Sequence, residues 1–148
     1  MKVKIKDKIL KELNEVTQRS NFKLKCGAII VKNNKVVSCG FAHYPTKKAK
    51  QLEIVVHAEE AAIMQALNTR KETTGSDIYV LLIRKNGEVR YNNAYCCPIC
   101  SRLLVQSNVA NVIYPTPSGW SKVSVRAMFN RSLKRIETEE AFSKYKDI

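Results

Sequence analysis

The 148-residue chain suits a single domain, residues 1–148, with a core of its own, and its longest apolar runs, Gly27–Val31 and Val80–Ile83, are far too short to span a membrane. Twenty-six Lys and Arg against 13 Asp and Glu leave a net charge of +13, which points to an anionic partner such as a nucleotide or nucleic acid unless the lysines merely solvate the surface. Three of the five cysteines crowd into Cys96–Cys100, and the basic start Met1–Lys6 lacks the apolar block of a signal peptide, so a reducing, cytoplasmic setting is expected, with no disulfide framework.

In chain order, Ile5, Ile9, Leu13 and Val16 recur at helical spacing and predict an amphipathic helix from Lys4 to Thr17, with Lys2, Lys4, Lys6, Lys8 and Lys11 on its exposed side. Gly27–Val31, the Asn33-Asn34 turn and Lys35–Phe41 predict a β-hairpin, flanked by Cys26 and Cys39 as small buried residues. From His43 to Val56 a long loop is expected, bordering the mouth of a site and carrying Lys47, Lys48 and Lys50. Its His43, one of two histidines, is a candidate substrate contact.

Ala58–Leu67 is rich in Ala, Glu, Met and Leu and predicts a helix. Asp77–Arg84 reads as a buried strand, followed by an Asn86-Gly87 hairpin turn. Pro98 suits the first turn of a helix running to Ser107, with Ile99, Leu103 and Leu104 inward. Val109–Tyr114 is a strand, and after Pro117-Ser118-Gly119 a helix is expected near Ser121, with Val125, Met128 and Phe129 inward. Alternating strands and helices imply an α/β layer fold. The segment Ser132–Ile148 receives no role.

His57-Ala58-Glu59 and Cys97-Pro98-Ile99-Cys100 carry the chemistry. Catalytic zinc takes three protein ligands and keeps a fourth position for water, and His57, Cys97 and Cys100 make that count. Residues two apart do not share a helix face, so His57 and Glu59 converge on one ion only if they straddle a helix start. Two helix N-termini aimed at the ion would favour anionic ligands. Two other readings compete: a thioredoxin-like redox pair with Cys96 as a resolving thiol, and a structural zinc site closed by a fourth ligand.

The order His-x-Glu followed by Pro-Cys-x-x-Cys is the zinc-deaminase signature, with the glutamate as general acid and base. From His57 to Cys100 most specifically, and from about residue 25 to about 115 more loosely, the chain resembles the cytidine and deoxycytidylate deaminase superfamily. The resemblance implies a three-layer α/β/α sandwich around a mixed five-stranded sheet, a homo-oligomeric tendency, zinc on His57, Cys97 and Cys100, and Glu59 as the proton shuttle for hydrolysis of a cytosine-type amine. The segment Lys23–Lys35 is similar to the family's opening hairpin. Two departures stand out. Ala42 occupies the place of an Asn that contacts the substrate sugar, and Cys96 that of a Pro. Among Phe41, Tyr44, Tyr95 and Trp120, Tyr95 is the favoured base-stacking residue.

The resulting expectation is deamination at the level of dCMP or CMP, with Lys47, Lys48 and Lys50 supplying cations for one phosphate. The alternatives are a cytosine or adenine deaminase of DNA or RNA, whose basic track would join that loop to Arg84, Lys85 and Arg90 or to the basic C-terminal segment, and a non-catalytic, zinc-stabilised nucleic-acid binder.

Overall fold

The computed structural model describes residues 1–91 and 98–138. Six strands and five helices follow one another as β1 (Lys2–Val3), α1 (Asp7–Gln18), β2 (Lys25–Lys32), β3 (Lys35–Phe41), α2 (Lys47–Gln51), α3 (Ala58–Asn68), β4 (Asp77–Ile83), α4 (Pro98–Gln106), β5 (Asn111–Thr116), β6 (Gly119–Ser124) and α5 (Val125–Thr138). They form one sheet of order β1-β6-β5-β4-β2-β3, in which only β4 and β5 are parallel. The sheet therefore has six strands and not the expected five.

Strand parity sorts the core into two halves. Ala28, Ile30, Ile78, Val80 and Val112 face α3, α4 and α5, meeting Ala58, Ala62, Ile63, Leu104 and Met128. Ile29, Val31, Leu81 and Ile83 face the opposite way and are covered by Ile9, Leu13 and Val16 of α1. The result is three layers, α/β/α. No helix among the described residues is long and apolar enough to cross a membrane.

Local chemistry explains several elements directly. Asn33 and Asn34 both take positive φ, 52° and 63°, as a two-residue hairpin turn demands of its central positions. Gly87, at φ 87°, turns the chain back so that Arg84 N bonds Glu88 O and Ile83 bridges Val89, a short extension of β4.

Three expectations fail. The stretch His43–Val56 is no plain loop: Thr46 Oγ1 accepts from Ala49 N at 2.9 Å and starts the five-residue α2. Around Ser121 the chain forms β6 instead of a helix, because Val112 and Tyr114 of β5 pair with Val123 and Ser121, and β1 closes the far edge against Trp120 and Ser121. Helix α5 begins only at Val125. In α4, Ile99 is 77% exposed, and it is Cys100, Ser101 and Leu104 that turn inward.

Gly40 sets how closely α3 approaches the sheet. A Cβ there would strike the backbone of Ala58, Ala61 and Ala62, the Ala58 carbonyl oxygen lying 2.6 Å away. Neither backbone can yield without moving α3. Gly40→Ala is accordingly expected to cost ~1–3 kcal/mol, as overpacking usually does. That is a fall of roughly 3–10 °C in Tm for a chain of this size. An unchanged melting curve would show that α3 does not rest on β3 this way.

Candidate active site

The site lies where α3 and α4 begin. Val55 and Val56 stay extended because Val56 is bridged to His43 through paired backbone bonds of 3.1 and 2.8 Å. His57 then takes the N-cap position, with φ −73° and ψ 153°, and its carbonyl accepts the first helical bond from Ala61 N. Glu60 reaches back to accept from His57 N at 3.3 Å, a capping contact that occupies it at the helix start. Glu59 instead points into the fold and is only 7% exposed.

Cys100 sits in the first turn of α4 and is buried, with its Sγ 3.3 Å from His57 Nδ1. The ligand-capable atoms of His57, Glu59 and Cys100 all lie within 4.8 Å of one another. An imidazole nitrogen, a thiol sulfur and a carboxylate oxygen at that spacing are a donor set that zinc accepts. Both helix N-termini add positive potential at the same point, which favours thiolate and carboxylate there. Cys97, the third predicted ligand, lies outside the described residues, as do Cys96 and Tyr95.

Cys26, expected as a small buried residue, packs against the core cluster that holds Ala58 and Cys100. Burial pushes its thiol well above the usual range, and the neighbouring Glu59 carboxylate pushes it further. It is partly buried, like Cys39, and not fully enclosed. Its one sequence signal was strand parity with Ala28 and Ile30, which puts it on the α3 face of β2.

The other predicted contacts separate. His43 Nδ1 lies 2.8 Å from the Phe41 carbonyl oxygen, which can only accept, so Nδ1 carries the proton and Nε2 is the acceptor of the neutral ring. Its ring packs on Phe41 at 5.1 Å between centroids. Ala42, in the place of the family's Asn, is buried, its backbone tied to Cys26 O through its N–H and to Ser20 Oγ through its carbonyl. Lys47 and Lys48 are exposed on α2, whereas Lys50 lines a cavity together with Tyr44 and Lys85. Trp120 packs with the α1 half of the core, across the sheet from α3.

In this three-layer α/β/α sandwich, His, Glu and Cys side chains meet at two helix starts as a group that could hold a metal ion. The chain belongs to the cytidine and deoxycytidylate deaminase family, since the model of that family's zinc-binding region matches residues 3–116. Among solved structures, the dCMP deaminase of cyanophage S-TIM5 is similar at 25% identity and a TM-score of 0.58, over 76% of this chain and 86% of that one. Cytidine deaminase from Burkholderia pseudomallei shares the fold at 16% identity and a TM-score of 0.61, over 84% and 96% of the two chains. An uncharacterized deaminase in the luxG 3′ region of Aliivibrio fischeri is 30% identical over 99 residues, which is 60% of this chain and 56% of that relative. The match thus spans little more than half the length of the curated relative.

Proposed function

We propose that the protein is a zinc-dependent hydrolytic deaminase of a cytosine-type base carried on a nucleotide. The observation that carries this reading is the meeting of His57, Glu59 and Cys100 at the first turns of α3 and α4. His57, Cys100 and Cys97 would hold the metal, leaving the Glu59 carboxylate for proton transfer. Zinc, when bound, lowers the pKa of water to about 7 and so supplies a nucleophile at neutral pH.

Glu59 is built for the rest of the cycle. As a carboxylate it accepts one proton of the attacking water and, as a carboxylic acid, passes it to the ring nitrogen. It then carries the second proton from the new hydroxyl to the amine, so that the C–N bond breaks, the carbonyl forms and ammonia departs. Its burial keeps bulk water from competing for that proton, and its place in the first turn of α3 fixes its direction. His43 Nε2, at the end of the segment leading from β3, is an acceptor suited to a sugar hydroxyl, a contact that Ala42 cannot make.

Support for a cytosine nucleotide comes from the cyanophage dCMP deaminase, crystallised with dCMP and dUMP. A second reading, deamination within a single strand, is favoured by Lys50 and Lys85 lining one cavity, since a track between those two segments is what a polymer would require.

Ammonia release separates the two. With dCMP, CMP, the corresponding nucleosides and a cytosine-containing oligonucleotide assayed across a salt series, turnover of the free nucleotides is expected. Strong turnover of the oligonucleotide alone, falling with a log-log salt slope of ~0.7 per phosphate contacted, would replace this reading with the second. No ammonia from any of them would leave a non-catalytic zinc protein.

A further inference from the structure

A cavity of about 390 Å³ opens beside the Ala42–Tyr44 segment. Four lysines line it: Lys23 from the α1–β2 connection, Lys25 at the start of β2, Lys50 of α2 and Lys85 beyond the end of β4. Among the described residues no acidic side chain lines it and no carboxylate pairs with any of the four. Lys25 Nζ donates only to neutral oxygens, Gln18 O and Gln18 Oε1, both at 3.2 Å. Four like charges drawn from three stretches of the chain repel one another, and an anion between them relieves that repulsion.

Two aromatic side chains, Phe22 and Tyr44, and the polar Ser20 and Asn21 complete the wall. Phe22 and Tyr44 meet edge to face, with centroids 5.6 Å apart and planes at 62°. Tyr44 N is held by Asn21 Oδ1 at 3.4 Å. Cations beside aromatic faces suit a phosphate and, on a strand, the base next to the reacting one.

Short links join this cavity to the metal site. Ser20 of its wall donates to the Ala42 carbonyl at 2.6 Å, and Ala42 N donates to the carbonyl of Cys26, whose side chain packs under α3. His43 stands between Tyr44 of the cavity and Val56, the neighbour of His57. The cavity and the candidate metal site therefore flank one segment, Ala42–Tyr44, and a ligand reaching from Glu59 to the lysines would pass His43.

We propose that Lys23, Lys25, Lys50 and Lys85 form the phosphate subsite of the substrate, taking either the 5′-phosphate of a free nucleotide or a phosphodiester of a strand. This assignment rests on the deaminase reading. It moves phosphate recognition away from Lys47 and Lys48 and onto residues brought together only by the fold.

The test compares the parent with Lys23→Gln/Lys85→Gln and with Lys25→Gln, measuring kcat/KM on deoxycytidine, dCMP and a cytosine-containing oligonucleotide. Removing one charge-assisted hydrogen bond to phosphate should lower the ratio of dCMP or oligonucleotide over deoxycytidine by ~10–100-fold, mainly through KM. Lys11→Gln, on the far face of α1, should leave that ratio alone. A fall on dCMP identifies the free nucleotide as the source. A fall on the oligonucleotide alone, with a shallower salt slope, identifies the strand. Parental ratios in both lysine variants would overturn the subsite.

A second measurement does not depend on turnover. Inorganic pyrophosphate titrated into the parent should shift the amide resonances of Lys23, Tyr44 and Lys85, and Lys23→Gln/Lys85→Gln should abolish those shifts. If the parent deaminates nothing yet shows this binding, the deaminase reading fails and the anion site stands. If pyrophosphate leaves these resonances unmoved, the subsite fails whatever the activity.

Discussion

Glu59→Ala is expected to lose deamination by ~10²–10⁴-fold, the usual contribution of a positioned general acid and base, while keeping its zinc and its fold. Glu59 is buried in the first turn of α3, within 4.8 Å of the ligand atoms of His57 and Cys100, and no other carboxylate among the described residues joins that cluster. Glu59→Gln is the sharper variant, because it keeps the volume and removes only the capacity to cycle a proton. Glu60→Ala is the control. Its carboxylate accepts from His57 N, so its removal should cost ~0.5–2 kcal/mol of helix capping and little turnover. The measurement is ammonia release beside elemental zinc analysis and a melting curve. Parental turnover in Glu59→Gln would move the proton shuttle to another residue.

Removal of a thiolate should act on metal and stability together. Cys97→Ala and Cys100→Ala are each expected to abolish stoichiometric zinc, because two remaining protein ligands hold the ion far less tightly than three. A site filled at a thousand times its dissociation constant adds ~4 kcal/mol to the folded state. Both variants should therefore melt roughly 10 °C lower, and chelator treatment of the parent should reproduce much of that drop. Cys100→Ala also empties volume from a position only 3% exposed, so it should melt lower than Cys97→Ala if packing adds to metal loss. Full zinc occupancy in Cys97→Ala, by elemental analysis, would remove Cys97 from the ligand set. It would also revive Cys96 as the alternative thiolate.

The elements visible in the sequence were those whose cause is local. Asn33-Asn34 reads as a hairpin turn because these side chains tolerate positive φ, whatever surrounds them. Ala58–Leu67 reads as a helix from its composition, and the His57–Glu59 spacing requires a helix start between the two residues. The apolar spacing of Ile9, Leu13 and Val16 likewise marked the buried side of α1. Family membership followed from the same short-range information, since His-x-Glu and Cys-x-x-Cys report a ligand count before any fold is known.

What the tertiary structure decided depends on partners distant in the chain. Gly119–Ser124 is a strand because β5 and β1 offer it backbone bonds, the latter more than a hundred residues away, and local propensity cannot register that pairing. Ile99 turns outward because the rotation of α4 that brings Cys100 to His57 and buries Ser101 and Leu104 leaves Ile99 on the side of the helix away from the core. Cys26 comes to lie under α3 through the parity of β2, and that packing depends on Gly40 letting α3 settle on the sheet. Lys23, Lys25, Lys50 and Lys85 were four charges among twenty-six until the ends of β2 and β4 met beside α2. A sequence states that a charge is present, but only packing states which charges face one another, because Coulomb interactions depend on separation in space and not along the chain.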